Sequence, residues 1–263
     1  MSWFDSHAHP TQAGIGDEIL AMRAAGVEGF IAVGTSVSSS EAVVDLVGSV
    51  HESFPELTVG AVVGIHPHDA GSATNEDLET LSRIIEDDPV LVRGVGECGL
   101  DLFYEYSSRE VQEEVFRSQI ALAKRFDRTL VVHTRDAWED TFRIFEEEGV
   151  PDRTIMHCFV GGPDEAQRSI AMGAYLSFSG IVTFKNAENV RQAFLATPLD
   201  RILVETDAPY LAPVPLRGRP NSIGNVAVTG SFLAELSGLN RLDFARHTWQ
   251  NTIDAFQLAP KTL

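Results

Sequence analysis

Histidines and carboxylates follow short apolar runs at several points in this sequence, and they are residue types that bind metal ions. The clearest case is His7-Ala8-His9, in which one residue separates two imidazoles. Side chains alternate along a strand with a period of two, so both imidazoles project from the same face and can chelate one ion. Polar residues of the same types follow four later runs: Glu97, His133, His157 and Asp207.

These six candidate ligands indicate more than one metal ion. Imidazole and carboxylate together suit Zn, Mn, Fe or Co better than a dedicated Mg site, which prefers oxygen ligands and water. Six ligands exceed the need of one tetrahedral ion. Two ions about 3.5–4 Å apart, bridged by a carboxylate, would use all six and could stabilise both oxygens of a hydrolytic displacement. We expect two divalent ions per chain, drawn from Zn, Mn, Co, Fe and Mg.

The elements that position these ligands form a regular pattern of eight short apolar runs with helical segments between them. The runs are 3–6, 29–33, 58–63, 91–95, 129–132, 154–156, 174–178 and 202–204. This alternation is typical of parallel strands with crossover helices. Eight such units in 263 residues favour a single-domain α/β fold over residues 1–263, a (β/α)8 TIM-type barrel. An open doubly wound sheet is the alternative, but no G-x-G-x-x-G follows the first strand.

A barrel would bring the candidate ligands together, because the carboxyl ends of its strands surround one mouth. The segment 223–258 is long enough for two extra C-terminal helices, one of which would cap the barrel. Asp5 shares a face with His7 and His9, where it either orients a ligand or is a buried carboxylate with its hydrogen bonds satisfied. Cys98 and Cys158 directly follow Glu97 and His157, so strand alternation would turn both thiols away from the metals.

Composition and charge narrow the function further. The chain has 20 basic and 38 acidic residues and a formal charge of −18, which argues against nonspecific coating of duplex nucleic acid but permits a local phosphate site. No apolar run approaches the roughly 18 residues of a membrane span. The start of the sequence has no signal-peptide pattern, and two cysteines make no disulfide framework. We expect a cytoplasmic protein without membrane association; its oligomeric state is open, and a monomer is compatible with the composition.

Taken together, the motifs resemble those of the TatD family of metal-dependent deoxyribonucleases, within the amidohydrolase superfamily. The motifs that carry the resemblance are Ser6-His7-Ala8-His9, Gly64-Ile65-His66-Pro67-His68, Gly96-Glu97-Cys98-Gly99-Leu100-Asp101, His133-Thr134-Arg135, His157-Cys158-Phe159 and Glu205-Thr206-Asp207-Ala208-Pro209-Tyr210. The resemblance runs from the first strand to the C-terminal helices, and it implies a barrel hydrolase with two metals.

The resemblance also implies a role for each ligand. His7, His9 and Asp207 would hold one ion, Glu97 would bridge, and His133 and His157 would complete the second. The expected catalytic residues are Asp207, as general base, and the bridging Glu97. Some amidohydrolases bridge with a carboxylated lysine, but no lysine occurs between positions 91 and 101, which favours the carboxylate bridge.

Four residues are expected to bind substrate. His66 matches the family position that contacts the substrate phosphate. Arg135 lies two residues after His133, where its guanidinium could hold a phosphate or pair with a carboxylate. Arg217 and Arg219 form a basic cluster in a late loop, where solvated surface arginines are the alternative. In the family a comparable loop reads Arg-Asn-Glu-Pro. Here the loop reads Arg219-Pro220-Asn221 and the Glu is missing, so the expectation that this loop recognises a strand end is in question. Asp101 and Tyr210 match positions in the family motifs. The alternative is that they only shape their loops.

For the family, the implied activity is 3′-to-5′ exonuclease action on single-stranded DNA or RNA, with a metal-bound water as nucleophile and strand ends as the partner. The main alternative is a hydrolase of a small amide, lactone or ester, which would need few of the residues His66, Arg135, Arg217 and Arg219. A barrel that only binds or scaffolds is a third interpretation, disfavoured because all six ligands are present.

Overall fold

Eight parallel strands alternate with helices in the computed structural model of the chain, which describes residues 2–104 and 106–258. In the sheet each strand pairs with its neighbours in sequence order. The strands are β1 (Trp3–Ala8), β2 (Val27–Val33), β3 (Thr58–Val63), β4 (Val92–Asp101), β5 (Thr129–Arg135), β6 (Thr154–Met156), β7 (Tyr175–Phe178) and β8 (Ile202–Val204). The predicted (β/α)8 barrel is confirmed.

The barrel closes just beyond the end of β8. Ala8 and Ala208 form a parallel bridge. The His9 amide donates to the carbonyl of Ala208 at 2.8 Å, and the Asp207 amide donates to the carbonyl of His7 at 3.0 Å. The first strand and the segment after the last strand therefore meet along one seam, with candidate ligands on both sides of it.

The helices cover the outside of the barrel and continue past the last strand. They are α1 (Ile15–Ala24), α2 (Val37–Ser53), α3 (Asn75–Asp87), α4 (Arg109–Arg125), α5 (Trp138–Glu148), α6 (Pro163–Ala171), α7 (Glu188–Ala196), α8 (Val226–Ser237) and α9 (Arg241–Ala255). A short 3₁₀ helix, Pro67–Ser72, follows β3. The two C-terminal helices predicted within 223–258 are α8 and α9. Among the described residues, no helix combines the length and apolar character needed to span a membrane.

The end of α9 and the residues after it plug the amino-terminal end of the barrel. The Thr129 hydroxyl, at the first residue of β5, donates to the carbonyl of Ala255. Phe256 and Leu258 are buried in one apolar cluster with strand residues such as Phe4 and Val131. Burial of a side chain of this size stabilises the fold by about 1.5–3 kcal/mol. The plug leaves the opposite, carboxyl end of the barrel for polar side chains.

Two strands run further than their apolar runs predicted. The fourth run was expected to end at residue 95, but β4 continues to Asp101 and pairs with β5 from Cys98 to the end of both strands. β5 itself runs to Arg135. The extensions are polar, so hydrophobicity alone does not reveal them. Glu97 therefore lies inside a strand, at an irregularity in the pairing with β5 between Val95 and Cys98.

Candidate metal centre

The structure brings all six predicted ligands together at the carboxyl end of the barrel. His7 lies in β1 and His9 follows it, Glu97 and His133 lie in β4 and β5, and His157 and Asp207 follow β6 and β8. The ring nitrogens Nε2 of His7 and His9 are 3.2 Å apart. Asp207 Oδ1 lies 3.3 Å from His9 Nε2 and 3.9 Å from His7 Nε2. These three side chains can therefore present one ligand atom each to a single ion.

Glu97 directs its two carboxylate oxygens to different histidines. Oε2 lies 3.3 Å from His7 Nε2 and 3.5 Å from His9 Nε2. Oε1 lies 2.9 Å from His133 Nδ1 and 3.3 Å from His157 Nε2. The carboxylate thus stands between the two histidine pairs that the sequence assigned to separate ions, which is the position a bridging ligand requires.

His66 joins the second of these groups. Its Nε2 lies 3.3 Å from Glu97 Oε1, and its ring centroid is 4.6 Å from that of His133. His66, Glu97 and His133 can converge on one ion as three ligands. The sequence interpretation had placed His66 on substrate phosphate, and the structure places it among the candidate ligands as well.

Two glycines allow Glu97 to lie this close to β5. Gly96 and Gly99 have φ values of 139° and 134°, a region that favours glycine. A Cβ on Gly96 would come within 2.3 Å of the Val131 carbonyl oxygen, and one on Gly99 within 2.1 Å of the His133 carbonyl oxygen. Glycine is therefore required at positions 96 and 99, since a side chain at either position would push β4 away from β5.

Two buried carboxylates stand behind the histidines of the second group, and the sequence interpretation assigned neither to the site. Glu205 Oε1 lies 2.9 Å from His157 Nδ1, and Asp101 Oδ2 lies 3.2 Å from His133 Nε2. Each histidine thus faces Glu97 with one nitrogen and a further carboxylate with the other. One signal in the sequence could have identified Glu205. It lies two positions before Asp207, and in a continuing strand the side chains of these two residues would point in the same direction.

The electrostatics of this cluster fit a cation. Burial alone would raise the pKa of Glu97, but the charges of His157 and His66 and hydrogen bonds from His133 and His157 hold it well below its usual value. Glu97 is only 3% exposed, and the buried Nδ1 of His7 has no hydrogen-bond partner in the described chain. Buried ionised groups in this density need a counter-charge. Imidazole and carboxylate donors that converge in this way fit divalent metal ions.

The predicted orientation of Cys158 is wrong. Its Sγ can join His157 and Asp207 in a group of ligand atoms that all lie within 4.8 Å of one another. Strand alternation does not apply there, because β6 ends at Met156 and Cys158 has a φ of 43°. Burial raises the pKa of its thiol. Cys98, by contrast, is fully buried and directs its thiol to the carbonyl of Val131.

Asp5 holds the seam of the barrel. Its carboxylate accepts hydrogen bonds from the Thr206 amide at 2.9 Å, the Thr206 hydroxyl and the His7 amide at 3.3 Å. It therefore satisfies backbone donors beside the ligands and does not contact the His7 ring. Tyr210 is 62% exposed and meets the His9 ring edge to face at 6.3 Å.

Arg135 lies against aromatic rings at the mouth. Its guanidinium stands 4.0 Å from the centroid of Phe103 and 4.7 Å from that of Tyr104. Among the described residues it has no ion pair with a carboxylate within 4.0 Å. Of the two predicted roles, contact with a phosphate remains open to it.

The late basic loop contributes to the surroundings of His9. Arg217 and Arg219 are both exposed, and the Arg217 guanidinium packs over the Phe184 ring at 3.9 Å. Asn221, at the end of the loop, is buried and donates to the carbonyl of Thr206 at 2.9 Å. It also lines a cleft of about 200 Å³ beside His9. The segment that departs from the family pattern thus borders the metal centre.

Comparison with known proteins agrees with this site. The family described as TatD related DNase matches residues 4–257. The uncharacterized metal-dependent hydrolase YabD of Bacillus subtilis is 35% identical over 260 residues, covering 97% of this chain and 99% of its own. The uncharacterized metal-dependent hydrolase YcfH of Escherichia coli K12 is 37% identical over 244 residues, covering 92% and 88%.

A solved structure shares the whole fold. The crystal structure of YjjV, a TatD homolog from Escherichia coli K12, superposes with a TM-score of 0.90 at 27% identity and covers 98% of both chains. The barrel, the cluster at its mouth and the family match over nearly the whole length agree with one another. This chain therefore belongs to the TatD related DNase family, whose relatives named above are metal-dependent hydrolases.

Proposed function

We propose that this chain is a metal-dependent nuclease that hydrolyses phosphodiester bonds from the 3′ end of single-stranded DNA or RNA. The observation that carries the proposal is the position of Glu97, whose Oε2 faces His7 and His9 while Oε1 faces His133 and His157. A carboxylate in this position can be shared by two ions. The metal-dependent hydrolases among the relatives support the general reaction class.

Each side chain then has a definite task. His7, His9 and Asp207 would hold one ion, and His133 with His157 would hold the other. Two divalent ions so held supply Lewis acidity to the phosphodiester, an activated water and stabilisation of the departing oxygen. His66, whose Nε2 lies 3.3 Å from Glu97 Oε1, would donate a hydrogen bond to a phosphate oxygen.

Asp207 is the proposed general base. Burial would raise the pKa of its carboxyl, but a hydrogen bond from His9 and the charges of His157, His9 and His7 lower it. The carboxylate is therefore ionised at neutral pH and can accept a proton from the attacking water. Its position after β8, in a turn with a φ of 56°, fixes the carboxylate beside His9.

The test is digestion of 3′-labelled and 5′-labelled single-stranded oligonucleotides with Mg, Mn, Zn or Co, comparing the wild type with Glu97→Ala. Glu56→Ala, which changes an exposed carboxylate, is the matched control. We expect metal-dependent cleavage that releases the 3′ label first. Glu97→Ala should abolish this cleavage, and the Glu56→Ala control should cleave like the wild type. Absence of cleavage with every ion, in folded and metal-loaded protein, would contradict the proposal.

Hydrolysis of a small amide, lactone or ester is the second candidate. It is favoured by the position of Arg217, whose guanidinium packs on Phe184 and is not directed to the centre by any contact among the described residues. Arg135→Gln, compared with His66→Gln, discriminates between the two reactions. A phosphodiesterase should lose activity in both variants, whereas an amide hydrolase should keep most of its activity in Arg135→Gln.

A further inference from the structure

Three aromatic side chains stand exposed beside the metal centre, although aromatic rings stabilise a protein most when they are buried. Phe103, Tyr104 and Tyr106, here called the aromatic platform, are 54%, 47% and 69% exposed. Clustered exposed rings of this kind mark binding surfaces on soluble proteins. None of the three has a task in the mechanism above.

The platform presents flat aromatic faces, and the guanidinium of Arg135 lies against it. The rings of Tyr104 and Tyr106 are parallel within 2°, with centroids 5.5 Å apart, and Phe103 meets Tyr104 edge to face at 4.9 Å. The Arg135 guanidinium lies over Phe103 and Tyr104. Aromatic faces and guanidinium planes are the groups on which proteins stack unpaired nucleobases.

His68 joins the platform to the metal centre. Its ring meets Tyr104 and Tyr106 edge to face at 5.6 Å and 4.8 Å. Its Nε2 lies 2.9 Å from Asp101 Oδ2, the same oxygen that contacts His133. His68 and Asp101 therefore connect the platform to the candidate ligand His133, and the platform lies beside the metal centre.

Hydrogen bonds hold the backbone on both sides of the platform. Asp101 Oδ1 accepts the amides of Phe103 and Tyr104, each at 3.0 Å. At the other end the Ser107 hydroxyl donates to the carbonyl of His68 at 3.0 Å. Because the backbone of Phe103 and Tyr104 is held in the free protein, ordering these residues on binding costs less conformational entropy.

We propose that the aromatic platform binds the nucleobases of a single strand next to the phosphodiester that is cleaved. This inference rests on the proposed nuclease function. A formal charge of −18 gives little long-range attraction for a polyanion. Stacking needs no basic groove and tolerates any base, because every base has a π face. It therefore supplies affinity that the charge of this chain does not.

The experiment measures binding by fluorescence anisotropy in the Asp207→Asn background with Mn²⁺ present, which limits cleavage. The probes are a labelled single-stranded oligonucleotide and an oligonucleotide of the same length whose units are abasic. Tyr106→Ala removes the most exposed ring and Tyr106→Trp restores a larger one. Leu242→Ala is the control, since Leu242 is 62% exposed and lies near the start of α9, whose Arg241 packs on Trp3 at the opposite end of the barrel.

We expect Tyr106→Ala to weaken binding of the normal oligonucleotide about 5- to 100-fold, the contribution of one stacked base. Binding of the abasic oligonucleotide should change less than twofold, and Tyr106→Trp should bind like the parent. Equal losses on both probes, no loss on either, or no binding by the parent would overturn the platform. Cleavage of both probes is followed separately with Asp207 intact. If the oligonucleotides are bound with this pattern but never cut, the nuclease proposal fails and the platform stands.

Discussion

Glu205 Oε1 lies 2.9 Å from Nδ1 of His157, and both side chains are buried beneath the metal centre. The same oxygen accepts the Cys158 amide at 2.9 Å, so the carboxylate faces the ring of this ligand and holds the backbone next to it. A carboxylate behind a ligand histidine fixes which nitrogen faces the metal and makes the ring a better donor.

Glu205→Gln should weaken metal binding about 10- to 100-fold, the usual effect of losing such a partner. Glutamine keeps the size of the side chain and an acceptor for the Cys158 amide, so the fold should be retained. A metal titration against a competing chelator measures the change, with Glu56→Gln as the exposed control. Unchanged affinity would show that His157 is oriented by packing alone.

Asp101→Asn should reduce metal affinity about 10- to 100-fold for the same reason, because Asp101 Oδ2 lies 3.2 Å from His133 Nε2. The remaining Oδ1 can still accept the loop amides of Phe103 and Tyr104. The measurement is the same titration, with far-ultraviolet circular dichroism as the control for folding. Full affinity in a folded Asp101→Asn protein would contradict this role.

Metal binding should release protons. Burial would lower the pKa of His157, but the carboxylates of Glu205 and Glu97 raise it well above its usual value, and the pKa values of His9 and His133 are also raised. The His157 ring therefore keeps its proton at neutral pH in the metal-free protein, whereas a ligand histidine must be neutral. Affinity should therefore increase with pH. Calorimetric titrations at pH 7 in buffers of different ionisation enthalpy should show at least one proton released per chain, and identical enthalpies in all buffers would refute this.

Removal of metal should destabilise the fold. An ion that binds only the folded state stabilises it by about 2.7 kcal/mol at a free concentration 100 times its Kd, roughly 5–10 °C in a chain of this size. Thermal unfolding with and without a chelator measures the shift. Glu97→Ala should lose most of the difference, and a Tm that ignores the chelator in the wild type would argue against a metal in this cluster.

Asp5→Ala should cost at least about 2 kcal/mol of stability, because the amide and hydroxyl of Thr206 lose a buried acceptor. Asp5→Asn keeps an acceptor and should cost less. Burial raises the pKa of Asp5 well above its usual value. The contribution of this carboxyl to the free energy of unfolding therefore decreases as pH rises through its folded-state pKa. Urea unfolding at pH 5 and pH 8 should show that Asp5→Asn loses less stability with rising pH than the wild type does, and equal losses would contradict the assignment.

The fold and the convergence of the six candidate ligands could be predicted because they follow from chain order. Apolar runs identify strands that are buried on both faces, and polar residues after such runs must meet at one end of a closed barrel. Glu97 follows the fourth apolar run, so this rule places its carboxylate at the same end of the barrel as the histidines.

The carboxylates behind the ligands and the orientation of Cys158 could not be obtained this way. Asp101 reaches His133 because β4 continues for several residues past its apolar start, and polar extensions carry no hydrophobic signal. Cys158 turns toward the centre because one residue with positive φ ends the alternation, and such a local change of direction depends on the surrounding packing.

The seam between β1 and the residues after β8 couples closure of the barrel to the candidate ligands. His7 and His9 lie on one side of that seam and Asp207 on the other, beside the amide bonds that close it. An ion held by all three would act as a clasp between the first residues of the fold and a segment some 200 residues later. Opening of the barrel wall and release of the ion would then be one event, so exchange of the His9 and Asp207 amides with solvent would report on metal occupancy.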